Sequence, residues 1–221
     1  LVMQIAKDTT LKRIIRCSQV MGRSATDNLS SAQILYPCMQ AADIFYIGAD
    51  IAQMGVDQRK VNMLTRQIAR KINRKKPVAI HHHMLISLSP TITDDNSSDQ
   101  TNIERSIKMK MSKSNPDSAI FMSDSPQLVI EKISKAYCPP NIIKDNPIYE
   151  YFRYIVFPKY GQVIIKRDQK YGGNITYKTI TDFEKDYTDG AIYPLDAKNN
   201  LAEYINQMLK PVRDYFNSKN E

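Results

Sequence analysis

The chain contains 221 residues, which is enough for one large domain or two smaller domains with a buried core. Hydrophobic residues make up 42% of it, an ordinary share for a globular protein, so the composition excludes disorder of the whole chain. Lysine and arginine (31) outnumber aspartate and glutamate (23), which gives a net charge of +8. This charge favours a polyanionic partner such as nucleic acid, although a basic protein without such a partner is an equal alternative.

The 3 cysteines are isolated in the sequence and form no Cys-X-X-Cys pair. This spacing is typical neither of a disulfide framework nor of a zinc site, and it predicts a reducing, cytoplasmic location. No apolar run reaches the length of a membrane span and no secretory signal opens the chain, so we expect no membrane partner. The first residues have the pattern of a helix already under way, which predicts a segment of a longer polypeptide.

Residues 1–35 are predicted to be mainly helical, and Ser30–Ser31 is predicted to cap the helix that follows. Pro37 fits the first turn of that helix. Three polar side chains then share one side of it: Tyr36, Gln40 and Asp43. A phenol, an amide and a carboxylate on one face can line a pocket for a small polar ligand, and they can equally form a solvated face.

A strand-loop-helix-strand unit is predicted next, with short strands at residues 49–54 and 77–81 and a helix between them. Such a unit implies parallel strands joined by a right-handed crossover, with ligands bound at the carboxyl ends of the strands. Gly55 lets a ligand approach the backbone at that end. The carboxylate of Asp57 is well placed there for the hydroxyls of a ribose.

Three consecutive histidines, His81, His82 and His83, invite a metal-binding interpretation. Consecutive residues of a strand point to alternate faces, so the three do not easily bind one ion, and we predict no metal site. Met84 and Leu85, which follow the histidines, are instead predicted to pack on a flat nucleotide base.

The most distinctive stretch comes after a polar insertion, residues 87–106, that reads as flexible. Its members are Lys110, Met111, Ser112, Lys113 and Ser114. Two ammonium groups and two hydroxyls can bind several negative oxygens, as on a triphosphate whose pyrophosphate leaves. For an arbitrary Lys-X-X-Lys pair, a solvated basic loop is the ordinary alternative.

A second, mainly helical unit is predicted from residue 125 onwards. Ser125 caps a helix that runs to about Tyr137, and Asn146–Pro147 begins another. Thr181 opens a further helix in a capping box. Asp196 is predicted to cap the last helix, whose buried stripe ends before Pro211.

Within this second unit, residues 163–166 and 175–180 are predicted strands around a Tyr-Gly-Gly-Asn turn. Tyr171 of that turn fits a stacking platform for an unpaired base. A turn tyrosine that packs locally is an equal alternative.

Several motifs of the chain occur in an order that is itself specific. They are YPCMQAADIF from Tyr36, GVDQRKVN from Gly55, HHML from His82, KMSKS from Lys110, KAYCPP from Lys135, GGNITY from Gly172 and YPLDAKNN from Tyr193. With them, nearly the full chain resembles the tyrosyl-tRNA synthetases of the archaeal and eukaryotic type, which are class I aminoacyl-tRNA synthetases.

The resemblance implies an α/β fold in two domains. Residues 1–124 would be the second half of a Rossmann-like catalytic domain, and residues 125–221 a mainly helical anticodon-binding domain. The HIGH motif of the family has no counterpart here, so a polypeptide that truly starts at Leu1 is not expected to form the adenylate alone. The chain also reads Ile86-Ser87-Leu88 where the family often has Pro-Gly-Leu, which bears on the adenine contact.

The resemblance also implies a two-step reaction. Tyrosine and ATP, with Mg²⁺ on the phosphates, give tyrosyl-adenylate, and the tyrosyl group then moves to tRNA(Tyr). By position in the motifs, the tyrosine contacts would be Tyr36, Gln40, Asp43 and Gln58. The ATP contacts would be Gly55, Asp57, Met84, Leu85, Lys110 and Lys113, with Ser112 and Ser114 shaping the catalytic loop. Tyr171 would stack on the first anticodon base and Asp196 would hydrogen-bond it. The family forms homodimers, and the interface would draw on residues 1–35.

Two other interpretations stay open at this point. Tryptophanyl-tRNA synthetases share KMSKS and an AADI-like helix, but Gln40 with Asp43 and the GGNITY and YPLDAK motifs favour tyrosine. The third interpretation is a non-catalytic RNA-binding derivative that kept the scaffold.

Overall fold

The computed structural model describes residues 1–18, 28–90, 109–111 and 115–219. The described residues form two compact units, with residues 1–84 in the first and residues from Leu85 onwards in the second. The residues just after Met84 join the second unit through backbone hydrogen bonds, such as the one from Tyr137 N to Leu88 O (2.7 Å). The functional boundary after residue 124 stays a prediction.

The helices of the first unit are α1 (Val2–Lys7), α2 (Leu11–Ser18), α3 (Ser31–Tyr46) and α4 (Arg59–Ile68). Helices α1, α2 and α4 each pack against α3. Their buried side chains form one apolar cluster: Ile5, Ile14, Cys38, Ala41, Ala42, Phe45, Ile68, Ala69 and Ile72. The predicted helical character of the amino-terminal stretch is thus confirmed for its described residues.

Helix α3 begins at a capping box. The Ser30 hydroxyl accepts a hydrogen bond from Gln33 N (3.3 Å), and Gln33 Oε1 accepts one from Ser30 N (2.9 Å). The predicted cap at Ser30–Ser31 is confirmed, but the placement of Pro37 in the first turn is wrong. Pro37 lies inside the helix, where its missing N–H removes one backbone bond. The buried residues that follow it in α3 keep the helix continuous.

The two strands of the first unit form a parallel pair. Strand β1 (Ile51–Gly55) lies beside β2 (Val78–His82), with Gly55 opposite His82, and α4 connects them. This confirms the predicted strand-helix-strand unit, with each strand shifted slightly towards its carboxyl end. Gly55 therefore ends β1 at the sheet edge where such units bind ligands.

The second unit is built mainly of helices: α5 (Pro126–Lys135), α6 (Pro147–Tyr151), α7 (Phe157–Tyr160), α8 (Ile180–Thr188) and α9 (Pro194–Asn217). A π-helical segment, Phe152–Val156, joins α6 to α7, and β3 (Val163–Ile165) pairs antiparallel with β4 (Ile175–Tyr177). Aromatic rings fill the centre, since the fully buried Phe183 ring lies 4.7 Å from that of Phe152.

Helix starts in the second unit confirm some predictions and correct others. Ser125 caps α5 as predicted, by accepting from Leu128 N (3.2 Å). Helix α8 is capped by Thr179, not by Thr181, because the Thr179 hydroxyl is the one that accepts from the backbone N–H of Asp182 (3.1 Å).

Helix α9 corrects one of the two predictions made for it and confirms the other. Its N-cap is Tyr193, because Pro194 occupies the first turn, and Asp196 lies within that turn as an acidic residue. Its buried stripe ends at Leu209, before Pro211, as predicted, while the helix itself continues through Pro211 to Asn217. Pro211 is exposed, so water can serve the carbonyl that loses its intrahelical donor. Helix α5 likewise ends at Lys135, slightly before the predicted end.

A buried ion pair holds the segment that leads into α5. Lys132 Nζ lies 2.7 Å from Asp124 Oδ2, and both side chains are almost completely buried. Lys132 Nζ also donates to Ala119 O (2.9 Å), and Asp124 Oδ2 accepts from Phe121 N (2.9 Å). Because both charges are hydrogen-bonded, the pair tolerates burial while each partner depends on the other.

No helix in the described part of the chain has both the length and the apolar character needed to cross a membrane.

We expect Lys132→Met to lower the free energy of unfolding by about 3–5 kcal/mol, because the Asp124 carboxylate would stay buried without its counter-ion. Lys210→Met is the matched control, because it removes the exposed pair with Asp214 in the same unit and should cost about 0.5 kcal/mol or less. Chemical denaturation measures both values. Equal losses in the two variants would contradict the role of burial.

Candidate functional sites

A chain of side-chain hydrogen bonds lies at the carboxyl end of β1. Gln40 Nε2, from α3, donates to Gln58 Oε1 (2.9 Å), and Gln58 Nε2 donates to Asp57 Oδ2 (3.1 Å). Gln40 Nε2 also lies 3.6 Å from Met54 Sδ of β1. The structure thus brings together three of the predicted site residues, and their hydrogen bonds fix the orientation of both amides.

Tyr36 and Asp43 flank Gln40 on α3 at helical spacing, as the sequence predicts. Both are exposed, with Tyr36 at 45%. Helix α3 therefore presents a phenol, an amide and a carboxylate whose polar atoms are accessible to a ligand. The buried side of α3, with Cys38, Ala41 and Phe45 among others, keeps this polar side turned outward.

Gly55 lies in close contact with the side chains of Asp57 and Met84. A Cβ at this position would lie 2.7 Å from Asp57 Oδ1 and 3.2 Å from Met84 Sδ. The backbone here has an ordinary negative φ of −60°, so this close packing, and not the backbone angle, is what requires glycine. The structure therefore brings the predicted residues Gly55, Asp57 and Met84 to one place at the end of β1.

His81 is held by two neighbours from α4. Its Nδ1 lies 3.4 Å from Arg59 Nη1, and its Nε2 lies 3.0 Å from Asn62 Nδ2. Arginine only donates, so Nδ1 accepts, and burial together with the Arg59 charge lowers the pKa of His81. The neutral ring then carries its proton on Nε2, facing Asn62. Among the residues that the structure describes, the buried Asn62 Oδ1 has no hydrogen-bond partner, so exchanging the two amide atoms of Asn62 would give Nε2–H an acceptor.

No group of His, Cys, Asp or Glu side chains within the described ranges has the composition and proximity to hold a metal ion.

The lysine loop is the stretch of residues 110–114, and the described residues at its start belong to the second unit. Lys110 forms an antiparallel bridge with Ile86, and Ser87 N donates to Met109 O (2.7 Å). Leu85 packs against the apolar core of this unit. The predicted residues Ser112, Lys113 and Ser114 lie outside the described residues, so Lys110 and Met111 are the members of the loop that the structure locates.

The structure brings Tyr171 and Asp196, predicted from two separate motifs, to one cleft of about 510 Å³. The cleft is lined by Arg167, Tyr171, Gly190, Ala191, Tyr193, Leu195 and Asp196. Tyr171 is 62% exposed and Tyr193 is 66% exposed. Two exposed aromatic rings beside a carboxylate suit a planar base that offers hydrogen-bond donors.

Tyr193 is a candidate that sequence reasoning missed. The signal was present, because an aromatic residue directly before Pro194 sits at the N-cap of α9 and points away from its buried stripe.

Arg167 joins the two walls of this cleft. Its Nε donates to Gly173 O (2.7 Å), and its Nη1 donates to Ala191 O (2.8 Å). Gly172 and Gly173 have φ angles of 94° and 71°, which side chains rarely adopt, and these angles bring the turn within reach of the guanidinium. The fork of Arg167 thus sets the distance between the Tyr171 turn and the start of α9.

One known protein family matches most of this chain. The sequence model of the class I tRNA synthetases (W and Y) matches residues 1–210 of this chain, so the chain belongs to that family. The predicted fold class, part of a class I α/β domain followed by a mainly helical region, is confirmed.

The relatives narrow the resemblance within the family. The cytoplasmic tyrosine–tRNA ligase 1 of Arabidopsis thaliana is 49% identical over 217 residues, which are 98% of this chain and 52% of that protein. The tyrosine–tRNA ligase of Saccharolobus solfataricus is 42% identical and is matched over 61% of its length. The chain therefore spans about half the length of the Arabidopsis relative, and the predicted resemblance to tyrosyl-tRNA synthetases is confirmed.

Solved structures of tyrosyl-tRNA synthetases are also similar to this chain. The tyrosyl-tRNA synthetase of Pyrococcus horikoshii, complexed with L-tyrosine, superposes with a TM-score of 0.88 at 38% identity, covering 100% of this chain and 62% of that one. That of Archaeoglobus fulgidus, also with L-tyrosine, gives a TM-score of 0.79 at 33% identity, covering 96% and 60%.

We expect Arg167→Met to speed amide hydrogen exchange in the Tyr171 turn by about tenfold or more, because two charge-assisted hydrogen bonds are lost. Lys178→Met, an exposed cation on the same unit, is the control and should leave the exchange unchanged. Mass spectrometry of the exchanged peptides gives both rates. Wild-type protection in Arg167→Met would show that the turn does not need this side chain.

Proposed function

We propose that the protein is a tyrosine–tRNA ligase, which activates tyrosine with ATP and transfers the tyrosyl group to tRNA(Tyr). The observation that carries the proposal is the hydrogen-bonded chain Gln40–Gln58–Asp57 at the carboxyl end of β1, next to Gly55. The names of the Arabidopsis and archaeal relatives support tyrosine over tryptophan.

In this proposal the polar side of α3 selects the amino acid. Tyr36 and Asp43 offer a phenol and a carboxylate to the polar groups of tyrosine, while Gln40 and Gln58 are held by their mutual hydrogen bond. A site built to hydrogen-bond a substrate hydroxyl rejects an analogue without it, because its own polar groups are left unpaired. Phenylalanine should therefore be a poor substrate.

ATP is proposed to bind at the end of β1. The Asp57 carboxylate accepts from the ribose hydroxyls, Gly55 lets the nucleotide approach, and the backbone of Met84 and Leu85 faces adenine. Lys110 and Lys113 stabilise the pyrophosphate as negative charge builds on it, with Ser112 and Ser114 shaping their loop. Mg²⁺ enters as part of the ATP substrate. Positioning and charge stabilisation thus carry the reaction, without a side-chain nucleophile.

The second unit is proposed to read the tRNA, which makes residues 125–221 an anticodon-binding domain and residues 1–124 part of the catalytic domain. Tyr171 stacks on the first anticodon base, Asp196 accepts hydrogen bonds from it, and Tyr193 supplies a second ring at the same cleft. A homodimer and a cytoplasmic location complete the proposal. The similarity to the cytoplasmic ligase of Arabidopsis supports that location.

Amino-acid-dependent exchange of pyrophosphate into ATP tests the first step in the full-length gene product. The proposal predicts exchange with tyrosine and little with tryptophan or phenylalanine. Exchange with tryptophan alone would make the protein a tryptophan enzyme. Absence of exchange with any amino acid, together with retained tRNA binding, would favour a non-catalytic RNA-binding protein.

We expect Lys113→Ala to slow tyrosyl-adenylate formation by about a hundredfold or more while the Kd for tyrosine changes by about twofold or less, because its charge is needed chiefly as pyrophosphate leaves. Rapid-quench kinetics and tyrosine titration give the two values. Lys71→Ala, an exposed lysine on the first unit, is the control. Equal losses of rate and of tyrosine affinity would contradict the role in pyrophosphate stabilisation.

A further inference from the structure

A single short segment, Ile86–Leu88, holds the chain on both sides of the lysine loop. Before the loop, Ile86 bridges Lys110 and Ser87 N donates to Met109 O (2.7 Å). After the loop, Leu88 N donates to Ser118 O (2.9 Å). The position of this segment therefore sets where the loop begins and where it ends.

Glu150 of helix α6 fixes that segment from the side. Its Oε2 accepts a hydrogen bond from Ile86 N (3.0 Å), at the residue that bridges Lys110. A carboxylate that accepts from a backbone N–H makes a stronger bond than a neutral acceptor does.

The backbone of Glu150 is itself firmly held. Asn146 caps α6 by accepting from Tyr149 N (3.2 Å), and the side chains on both sides of Glu150, Tyr149 and Tyr151, are buried. The carboxylate therefore starts from a rigid helix, and its position is transmitted to Ile86 with little freedom.

Helix α5 holds the chain on the far side of the loop, because Lys132 Nζ donates to Ala119 O (2.9 Å). Further along, Arg213 Nε of α9 donates to Asp124 O (2.8 Å). Lys132 and Arg213 thus hold the chain after the loop. Before the loop, the described hydrogen bonds of the segment Ile86–Leu88 include one to an ionisable side chain, that of Glu150.

We propose that Glu150 is a positioning residue for the lysine loop, acting through Ile86 on Lys110; this inference rests on the proposed function. It touches the segment that forms the base of the loop, through Ile86 N. Misplacing a catalytic ammonium by about 1 Å can cost about a hundredfold in rate, since stabilisation of the leaving group depends on close approach. Losing the anchor should lower the rate of activation and leave the tyrosine contacts on α3 unaffected.

The test uses three variants of the full-length protein. Glu150→Ala removes the acceptor, and Glu150→Gln keeps a neutral acceptor of the same shape. Glu184→Ala is the matched control, because Glu184 Oε2 accepts from the Tyr149 hydroxyl (2.8 Å) in the same unit but does not touch the loop segment. A merely structural role would make the two alanine variants behave alike.

We expect Glu150→Ala to lower the rate constant of tyrosyl-adenylate formation by about tenfold or more, with the KM for tyrosine within about twofold of wild type. Glu150→Gln should recover the rate to within about threefold. Glu184→Ala should keep the wild-type rate. Hydrogen exchange should show faster exchange at Ile86 in Glu150→Ala and no change there in Glu184→Ala.

A wild-type rate in Glu150→Ala, or an equal loss in Glu150→Ala and Glu184→Ala, would overturn the positioning role. Failure of the proposed function looks different, because the wild-type protein would then show no tyrosine-dependent exchange of pyrophosphate.

Discussion

The hydrogen bonds from Gln40 through Gln58 to Asp57 join helix α3 to the carboxyl end of β1, and the proposed chemistry depends on that link. Each amide uses its own donor on the next side chain, so neither turns freely. The arrangement leaves the phenol of Tyr36 and the carboxylate of Asp43 exposed beside Gln40, while Asp57 lies against Gly55 at the end of β1. In the proposed function, a small amino acid and a nucleotide bind next to each other there, as adenylate formation requires.

The second unit has two proposed roles, and both use the same helical framework. Its cleft presents Tyr171, Tyr193 and Asp196, and Arg167 holds the two walls of the cleft at a fixed separation. Elsewhere in that unit, Glu150 and the buried Lys132–Asp124 pair hold the chain before and after the lysine loop. The proposed binding of RNA and the proposed placement of Lys110 therefore depend on one folded core, centred on Phe152 and Phe183.

The sequence predicted those features of the structure that depend on residues close together in the chain. The parallel strand pair, the caps at Ser30 and Ser125, and the glycine at the end of β1 all follow from short patterns. Competing local signals explain the errors, since Pro194 starts α9 before Asp196 and Thr179 reaches the N–H of Asp182. Glu150 with Ile86 and Arg167 with Ala191 are far apart in sequence and have no periodic signature, so only the fold reveals them.

A structure of the full-length protein with a tyrosyl-adenylate analogue tests the central claim most directly. We expect the phenol hydroxyl of the bound analogue to lie within hydrogen-bond distance of the Tyr36 or Asp43 side chain. We also expect the ribose hydroxyls to contact the Asp57 carboxylate, with the Gln40–Gln58 hydrogen bond retained. An analogue bound away from α3 and the end of β1, or bound there only after that hydrogen bond has broken, would contradict it.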